Sequence, residues 1–277
     1  MTKTSTKETS FALADLDPVA EFILEKNGTP TEYAKSLNAL GSELKLGSTL
    51  KNKPLIIKNI SEILPEDQNK AKLVLIRHGQ STWNLSEQFT GWVDVHLTEK
   101  GEAQAEQAGA TIKGLKIDAL YTSTLVRAFE TLQCVLKGAG LDLKNFPLVK
   151  HKALNERHYG QLQGLNKKET GEKYGEDQLL IWRRSYDARM LNNSGESLEM
   201  TIDRVLPYFN RAILGEIQKN KTVLITAHGN SLRGIEYTLE GMTPDQVVKH
   251  EIANGEPHIY VFGPGLTVDR KYIIPLK

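Results

Sequence analysis

Cysteine is nearly absent from this sequence of 277 residues, and Cys134 alone cannot form an internal disulfide bond. A chain without disulfides fits a reducing compartment, so we predict a cytoplasmic protein. No apolar run approaches the roughly 18 residues that a membrane-spanning helix needs. The net charge is only +1, which gives no general reason to expect binding to a membrane or to nucleic acid.

Two kinds of cofactor motif are also missing. The sequence has no glycine-rich loop of the Walker or dinucleotide-binding type, so nucleotide binding is not indicated. No two histidines have the short His-x-x-x-His spacing that is common in zinc sites. The length of the chain suits one large α/β domain with an appendage, or two small domains.

Two short apolar runs that end in His-Gly are the most informative feature. Leu73 to Ile76 has the composition of a fully buried strand and leads into Arg-His-Gly at 77–79. Residues 222–226 form a second such run, and His228-Gly229 follows it. In open α/β sheets, ligands bind outside the carboxyl ends of the strands. The pattern predicts two imidazoles at one site, and two unrelated loop histidines are the alternative.

The remainder of residues 71–277 alternates between predicted strands and helices. Together they predict an α/β fold, with a mostly parallel sheet covered by helices on both faces. The strands are expected at 73–76, 118–123, 147–154, 222–226 and 258–262. The helices are expected at 99–113, 125–138, 167–174, 176–186 and 197–218, followed by one that ends at 240 and one that begins at 243–244.

Residues 1–70 differ from this pattern. A helix is predicted from Asp17-Pro18 to about residue 26, a second from 29–32 to about residue 44, and a helical turn near 60–64. This region is too small for a substantial core of its own. We therefore predict an N-terminal extension over 1–70, either packed on the main domain or free, and a main domain over 71–277.

Several predicted strand ends carry charged or imidazole groups. Right-handed crossovers place these ends on one side of the sheet. The groups that this arrangement brings together are His78, His158, His228, Glu156, Arg77 and Arg127. Lys167, Arg183 and Arg184 are in the loops and helices that follow. Arginine binds phosphate or carboxylate oxygens bidentately, so the cluster indicates a small phosphorylated anion as substrate. The same arginines would repel a dication, and we predict no metal ion.

The chemistry of this cluster favours phosphoryl transfer. Positive charge nearby keeps an imidazole neutral, so His78 could attack a phosphoryl group whose charge the arginines stabilise. A carboxyl group is needed to exchange a proton with the substrate oxygen, and Glu156 is the candidate. The alternative for Glu156 is a structural pairing with Arg157.

The motifs as a set resemble the histidine phosphatase superfamily, and most closely its 2,3-bisphosphoglycerate-dependent phosphoglycerate mutases. They are Leu-Ile-Arg-His-Gly-Gln-Ser-Thr-Trp-Asn (75–84), Phe-Thr-Gly-Trp (89–92), Thr-Ser-Thr-Leu-Val-Arg-Ala (122–128), Leu-Asn-Glu-Arg-His-Tyr-Gly (154–160), Leu-Gln-Gly-Leu-Asn-Lys (162–167), Trp-Arg-Arg (182–184) and Ala-His-Gly-Asn-Ser-Leu-Arg (227–233). The resemblance implies a three-layer α/β/α fold. It also implies interconversion of 3- and 2-phosphoglycerate in glycolysis and gluconeogenesis, with 2,3-bisphosphoglycerate as the priming phosphoryl donor.

The resemblance also assigns roles to residues at matching positions. His78 would be the phosphohistidine nucleophile and Glu156 the proton donor and acceptor, while His228, Arg77 and Arg127 would stabilise the transferring phosphoryl group. The substrate contacts would be Ser81, Asn84, Thr90, Gly91, Arg157, Tyr159, Lys167, Arg183, Arg184, Gly229 and Asn230.

The sequence departs from the longer family members in two places. The segment between Arg184 and Glu196 is shorter, which favours a monomer or a small homo-oligomer. A lysine-rich C-terminal tail is missing, so we expect more hydrolysis of the phosphohistidine. Two alternatives remain: a phosphatase or bisphosphoglycerate-specialised enzyme with the same nucleophile, and a non-catalytic interaction protein.

Overall fold

The computed structural model describes Leu37 and residues 39–276 of the chain. Its centre is one sheet of seven strands. The strands are β1 (Leu55–Ile56), β2 (Ala71–Arg77), β3 (Ala119–Thr122), β4 (Leu148–Lys150), β5 (Thr222–Ala227), β6 (Pro257–Gly263) and β7 (Thr267–Ile273). Their order across the sheet is β1-β7-β6-β2-β5-β3-β4.

The two strands that end near histidines are neighbours. β2 pairs with β5 in parallel, and Arg77 lies opposite Ala227 at the carboxyl end of the pair. β5 also pairs in parallel with β3, and β3 with β4. Only β6 runs antiparallel to both of its neighbours, β2 and β7. The mostly parallel sheet is therefore confirmed, and the residues after β2 and β5 meet at one edge.

Helices cover both faces of this sheet. They are α1 (Thr82–Leu85), α2 (Glu99–Thr111), α3 (Val126–Ala139), α4 (Lys167–Tyr174), α5 (Glu176–Arg184), α6 (Leu198–Tyr208), α7 (Leu214–Gln218), α8 (Gly229–Glu240) and α9 (Pro244–Lys249). Short 3₁₀ helices lie at Ile60–Glu62, Pro65–Asp67, Leu143–Asn145, Lys152–Leu154, Gly160–Leu162, Leu191–Asn193 and Pro264–Leu266, and a π-helical turn at Phe209–Ile213.

The strand residues alternate between two hydrophobic cores. Leu73 and Leu75 of β2 point to one face and pack with side chains of α6, α7 and α8. Val74 and Ile76 point to the other face and pack with side chains of α2 and α3. A strand buried on both faces has a continuous apolar sequence, which is why 73–76 contains no polar residue. The expected three-layer α/β/α architecture is confirmed.

The predicted elements differ from the structure in a few places. All five predicted strands are present, although the one expected at 147–154 is a strand only over Leu148–Lys150 and then forms a 3₁₀ turn. The helix expected at 197–218 is divided by the π-helical turn. Pro207, near the end of α6, has no N–H to donate, which interrupts the regular helical hydrogen bonds there. Strands β1 and β7 were not predicted.

The described part of residues 1–70 packs on the sheet. β1 pairs in parallel with β7 at the edge, and Ser48 bridges to Thr267. The helical turn predicted near residue 60 is confirmed as a 3₁₀ helix. The helix predicted over 18–26 lies outside the described residues; of the next, Leu37 is helical, whereas 39–44 form a turn and irregular structure. Among the described helices, none has the length and apolarity needed to cross a membrane.

Candidate active site

His78 follows directly after β2, at the edge where the parallel strands end. Its backbone N–H donates to the carbonyl oxygen of Ala227 on β5 at 2.9 Å. A Cβ atom on the next residue, Gly79, would lie 2.1 Å from the carbonyl oxygen of Gly101 on α2. The close approach of α2 therefore requires glycine after the histidine.

The His78 ring is buried, and its surroundings define its protonation state. Nδ1 lies 2.7 Å from the carbonyl oxygen of Gly79, so Nδ1 carries the proton of the neutral ring. Burial first, and then the charges of Arg127 and Arg77, hold the pKa of His78 well below its ordinary value of 6.5. Nε2 consequently has a lone pair at neutral pH, as a nucleophile requires.

His228 lies directly after β5, and its ring centroid is 5.1 Å from that of His78. Its Nε2 is 2.7 Å from Ser123 Oγ, an oxygen that also accepts the N–H of Leu125. When the Ser123 hydroxyl donates to Nε2, the proton of the neutral ring is on Nδ1, which has no hydrogen-bond partner among the described residues. Burial, followed by the charge of Arg127, holds the pKa of His228 well below 6.5. In that tautomer, the ring presents a buried N–H donor beside His78.

Arg77 and Arg127 place two guanidinium groups next to the histidines. Arg77 Nη1 donates to the carbonyl oxygen of Ile252 at 2.8 Å. Arg127 donates through Nη1 to Val93 and through Nη2 to Gly91, both to carbonyl oxygens. Burial lowers the pKa of Arg127 to about 10, so its guanidinium remains charged at neutral pH. The Nε atoms of both arginines have no partner among the described residues. These two buried N–H groups are therefore unsatisfied hydrogen-bond donors within the described residues.

Glu156 brings a carboxylate to the same point. Its Oε1 accepts the backbone N–H of Arg157 at 2.8 Å, and the backbone and side-chain N–H groups of Asn230 at 3.1 and 2.9 Å. One oxygen of Glu156 and one ring nitrogen each of His78 and His228 lie within 4.8 Å of one another. A substrate oxygen between them would be within reach of both a nucleophile and a proton carrier.

The loop that carries Glu156 is held by a buried ion pair. Arg204 on α6 donates to the carbonyl oxygens of Asn155 and Glu156 at 3.0 and 2.8 Å. Its guanidinium Nε lies 2.6 Å from the carboxylate of Glu196, and that carboxylate also accepts the N–H of His158 at 2.9 Å. Sequence analysis missed both members of this pair. No sequence motif indicates them, because their role depends on the packing of α6 against the loop.

Four further cations line the pocket beyond Arg77 and Arg127. Lys167 begins α4, Arg183 and Arg184 end α5, and Arg233 lies on α8. Burial first, and then the charge of Arg183, lower the pKa of Lys167. A carboxylate, Glu251, also lines the pocket. Together with the histidine end, the pocket has the positive charge that a multiply charged small anion needs.

The structure brings most of the predicted site residues to this one pocket. Four of the five predicted catalytic residues line it. The fifth, His228, lies just behind the lining and contacts His78. Of the predicted substrate contacts, Ser81 and Arg157 do not line it. Ser81 is the N-cap of α1, and Arg157 is buried with its guanidinium on the carbonyl oxygens of 182, 188 and 196. The lining residues are Asn84, Thr90, Gly91, Tyr159, Lys167, Arg183, Arg184, Gly229 and Asn230, and sequence analysis missed Gln88, Phe89, Arg233, Glu251 and Ile252.

The arrangement of His78, Glu156 and His228 could in principle hold a metal ion. His158, which the sequence places at the same edge of the sheet, is a further histidine to consider. That ring instead accepts the N–H of Gly160 through Nδ1 at 2.9 Å and does not belong to the group of three. Each of the three is next to the charged guanidinium groups described above, which disfavours a dication there.

A family model described as "Histidine phosphatase superfamily (branch 1)" matches residues 73–270. The chain belongs to this superfamily. It is 47% identical over 223 residues to the 2,3-bisphosphoglycerate-dependent phosphoglycerate mutase 2 of Lactiplantibacillus plantarum, which covers 72% of this chain and 96% of the relative. It is 50% identical over 204 residues to the enzyme of the same name, without the numeral, from Bartonella quintana, covering 73% and 97%. Within the superfamily, the chain therefore belongs to the 2,3-bisphosphoglycerate-dependent phosphoglycerate mutases.

Solved structures of other proteins have the same fold. The α-ribazole phosphatase of Shigella flexneri superimposes with a TM-score of 0.61 over 72% of this chain and 94% of its own, at 23% sequence identity. A mycobacterial hydrolase gives a TM-score of 0.61 over 73% and 96%, at 22% identity. At these identities, the likeness concerns the fold alone.

Proposed function

We propose that this protein interconverts 3-phosphoglycerate and 2-phosphoglycerate through a phosphohistidine at His78. One observation supports this more than any other. A neutral His78 with Nε2 available lies beside His228, Arg127 and Glu156, at the inner end of a pocket with four more cations. A general phosphatase needs only the inner groups, whereas the additional cations suit a substrate that carries both a phosphate and a carboxylate.

The first half of the reaction begins with the phosphoryl group already on Nε2 of His78. The Glu156 carboxylate takes the proton of the free hydroxyl group of the monophosphoglycerate, and that oxygen attacks the phosphorus atom on His78. The bond from phosphorus to Nε2 breaks, the neutral imidazole is restored, and the bound compound is 2,3-bisphosphoglycerate. Arg77, Arg127 and the Nδ1–H of His228 stabilise the charge on the transferring phosphoryl oxygens.

The second half reverses these steps on the other phosphate of the bound bisphosphoglycerate. Nε2 of His78 attacks the phosphorus atom of that phosphate, and the bond from phosphorus to the substrate oxygen breaks. The departing oxygen takes the proton back from Glu156, which is again a carboxylate, and His78 is again phosphorylated. A substrate carboxylate held by Lys167, Arg183, Arg184 and Arg233 would keep the molecule in place between the two halves.

The pocket fits 2,3-bisphosphoglycerate as the priming donor. This compound has two phosphates and a carboxylate, and the pocket has four further cations besides Arg77 and Arg127. When bound, it supplies the phosphoryl group that converts His78 to the active form. We expect no metal ion to take part, because Arg77 and Arg127 already supply the positive charge at this point.

The test is turnover of 3-phosphoglycerate, followed through an enolase-coupled assay of 2-phosphoglycerate. Activity should rise with trace 2,3-bisphosphoglycerate and fall by about 1,000-fold or more in His78→Ala, because the nucleophile is lost. His96→Ala is the matched control, since His96 is exposed and its ring contacts Glu130 away from the pocket. It should keep full activity.

Two other outcomes would contradict the proposal. Release of inorganic phosphate without 2-phosphoglycerate would indicate a phosphatase with the same nucleophile. If His78→Ala kept both the mutase activity and the release of inorganic phosphate, His78 would be excluded as the nucleophile. The proposal also includes a cytoplasmic location and a monomer or small homo-oligomer. Size-exclusion chromatography with light scattering would test the oligomeric state, and fractionation of cells would test the location.

A further inference from the structure

Glu251 is an acidic residue in a pocket otherwise suited to anions. Within the described lining, it and Glu156 are the two carboxylates. Glu251 Oε1 accepts a hydrogen bond from Arg184, and Oε2 accepts one from Arg233 Nη2 at 3.2 Å. The Glu251 carboxylate is thus paired with Arg184 and Arg233, two of the four further cations of the pocket.

Neighbouring contacts hold the backbone around Glu251 in place, whereas its side chain can rotate away from the two arginines. On one side, the His250 ring is hydrogen-bonded to the buried carboxylate of Glu236. On the other, the carbonyl oxygen of Ile252 accepts from Arg77 at 2.8 Å, and Ile252 is buried. The Glu251 side chain itself is 54% exposed. A rotation of this side chain would release both arginines without moving the loop.

Glu251 is charged when the pocket is empty of substrate. Burial alone would raise its pKa, but the hydrogen bond from Arg184 and the charge of Arg233 outweigh burial and hold the pKa below its ordinary value. A charged carboxylate on these two arginines has the same chemistry as the carboxylate of a phosphoglycerate. The two groups cannot occupy Arg184 and Arg233 in the same way at the same time.

We propose that Glu251 is an internal competitor of the substrate, which holds Arg184 and Arg233 until the substrate carboxylate displaces it. The proposal rests on the proposed function, since it takes phosphoglycerate as the ligand. It makes Glu251 a specificity-determining residue, because it weakens the binding of ligands that need these two arginines. Partly exposed ion pairs contribute little free energy, so the displacement is feasible and its effect moderate.

The test is Glu251→Gln, which keeps the shape of the side chain and removes its charge. We expect KM and the dissociation constant for 3-phosphoglycerate to fall by about threefold to tenfold, with kcat unchanged within about twofold. Binding of sn-glycerol 3-phosphate, which lacks the carboxylate, should change less. Asp245→Asn is the matched control: it removes the same charge from an exposed position on α9 that is not part of the pocket, and should change neither constant.

Three outcomes would overturn the inference. A rise in KM would mean that Glu251 orients Arg184 for the substrate instead of competing with it. A fall in kcat would mean that it supports the 250–254 loop. Equal tightening of both ligands would indicate a general charge effect. Calorimetry measures binding without turnover, so the two proposals can fail separately. If Glu251→Gln bound 3-phosphoglycerate more tightly but the protein had no mutase activity, the inference would stand and the mutase proposal would be refuted. If the protein were an active mutase but Glu251→Gln bound the substrate no more tightly, the mutase proposal would stand and the inference would be refuted.

Discussion

The protonation of the two active-site histidines is decided by burial more than by any single charge. For His78 and His228, burial is the largest cause of the lowered pKa, and the guanidinium of Arg127 comes next. The same buried arginine that would stabilise a phosphoryl group therefore also keeps His78, the proposed nucleophile, neutral. One arrangement serves both requirements of the proposed reaction.

We predict that both rings stay neutral as the pH is lowered through 6.5. The measurement is a titration of the histidine ring signals by NMR, assigned through His78→Gln and His228→Gln. His96 is an internal control, because its hydrogen bond to Glu130 raises its pKa above 6.5. A ring signal of His78 that moved together with that of His96 would contradict the prediction.

These pKa shifts also link stability to pH. Below 6.5, the unfolded chain takes up protons at positions 78 and 228 that the folded protein does not, so these two histidines lower stability as the pH falls. His258 acts in the opposite direction. Burial would lower its pKa, but Glu236 raises it, so its stabilisation is complete below 6.5 and is lost as the pH rises through the raised value.

At the scale of elements, the position of Glu156 depends on helix α6. The loop at 155–158 has no regular secondary structure; Arg204 donates a hydrogen bond to its backbone, and Glu196 accepts one from it. Both side chains are almost fully buried, at 4% and 0% exposure. A buried pair that also satisfies backbone groups is costly to break, because one charge is left without a partner.

We therefore predict that Arg204→Met lowers the free energy of unfolding by about 3–5 kcal/mol and reduces kcat as well, since the Glu156 loop loses its support. Urea unfolding and the coupled assay are the measurements. Lys137→Met is the matched control, because Lys137 forms an exposed ion pair with Glu106 on neighbouring helices α2 and α3. Its stability should hardly change. Equal effects of the two substitutions would contradict the special role of the buried pair.

Some strands and site residues can be predicted from the sequence, and others cannot. β2 and β5 were predicted because both strands are buried on both faces and have a continuous apolar run, 73–76 in β2 and 223–225 in β5. β7 was missed because Asp269, Arg270 and Lys271 interrupt its apolar pattern, and β1 because two residues have no pattern. The inner site residues follow strand ends and form motifs. Glu251 and Arg204 have no such signal, since only the folded chain brings them to their partners.

At the scale of the whole molecule, the main question is where the catalytic domain begins. The sequence predicts a boundary at residue 70, yet the residues just before it contribute to the core. Ile57 and Ile63 are buried against the α2–α3 face of the sheet. Asp67 is fully buried and accepts hydrogen bonds from Tyr272 and Arg270 of β7. These contacts join the segment to an edge of the sheet that lies far along the chain.

Comparison of two shortened chains would test this boundary, one beginning at residue 37 and one at residue 71. We predict that the second unfolds at lower urea concentration, with a loss of at least about 4 kcal/mol, because burial of Ile57 and Ile63 contributes about 2 kcal/mol each. The difference between the two isolates the contribution of residues 37–70. Ile57→Ala in the full chain should produce part of the same loss, with Leu55→Ala at the more exposed edge as its control. Equal stability of the two shortened chains would mean that residues 71–277 fold as an independent domain, and that β1 is an attachment to the sheet and not a part of it.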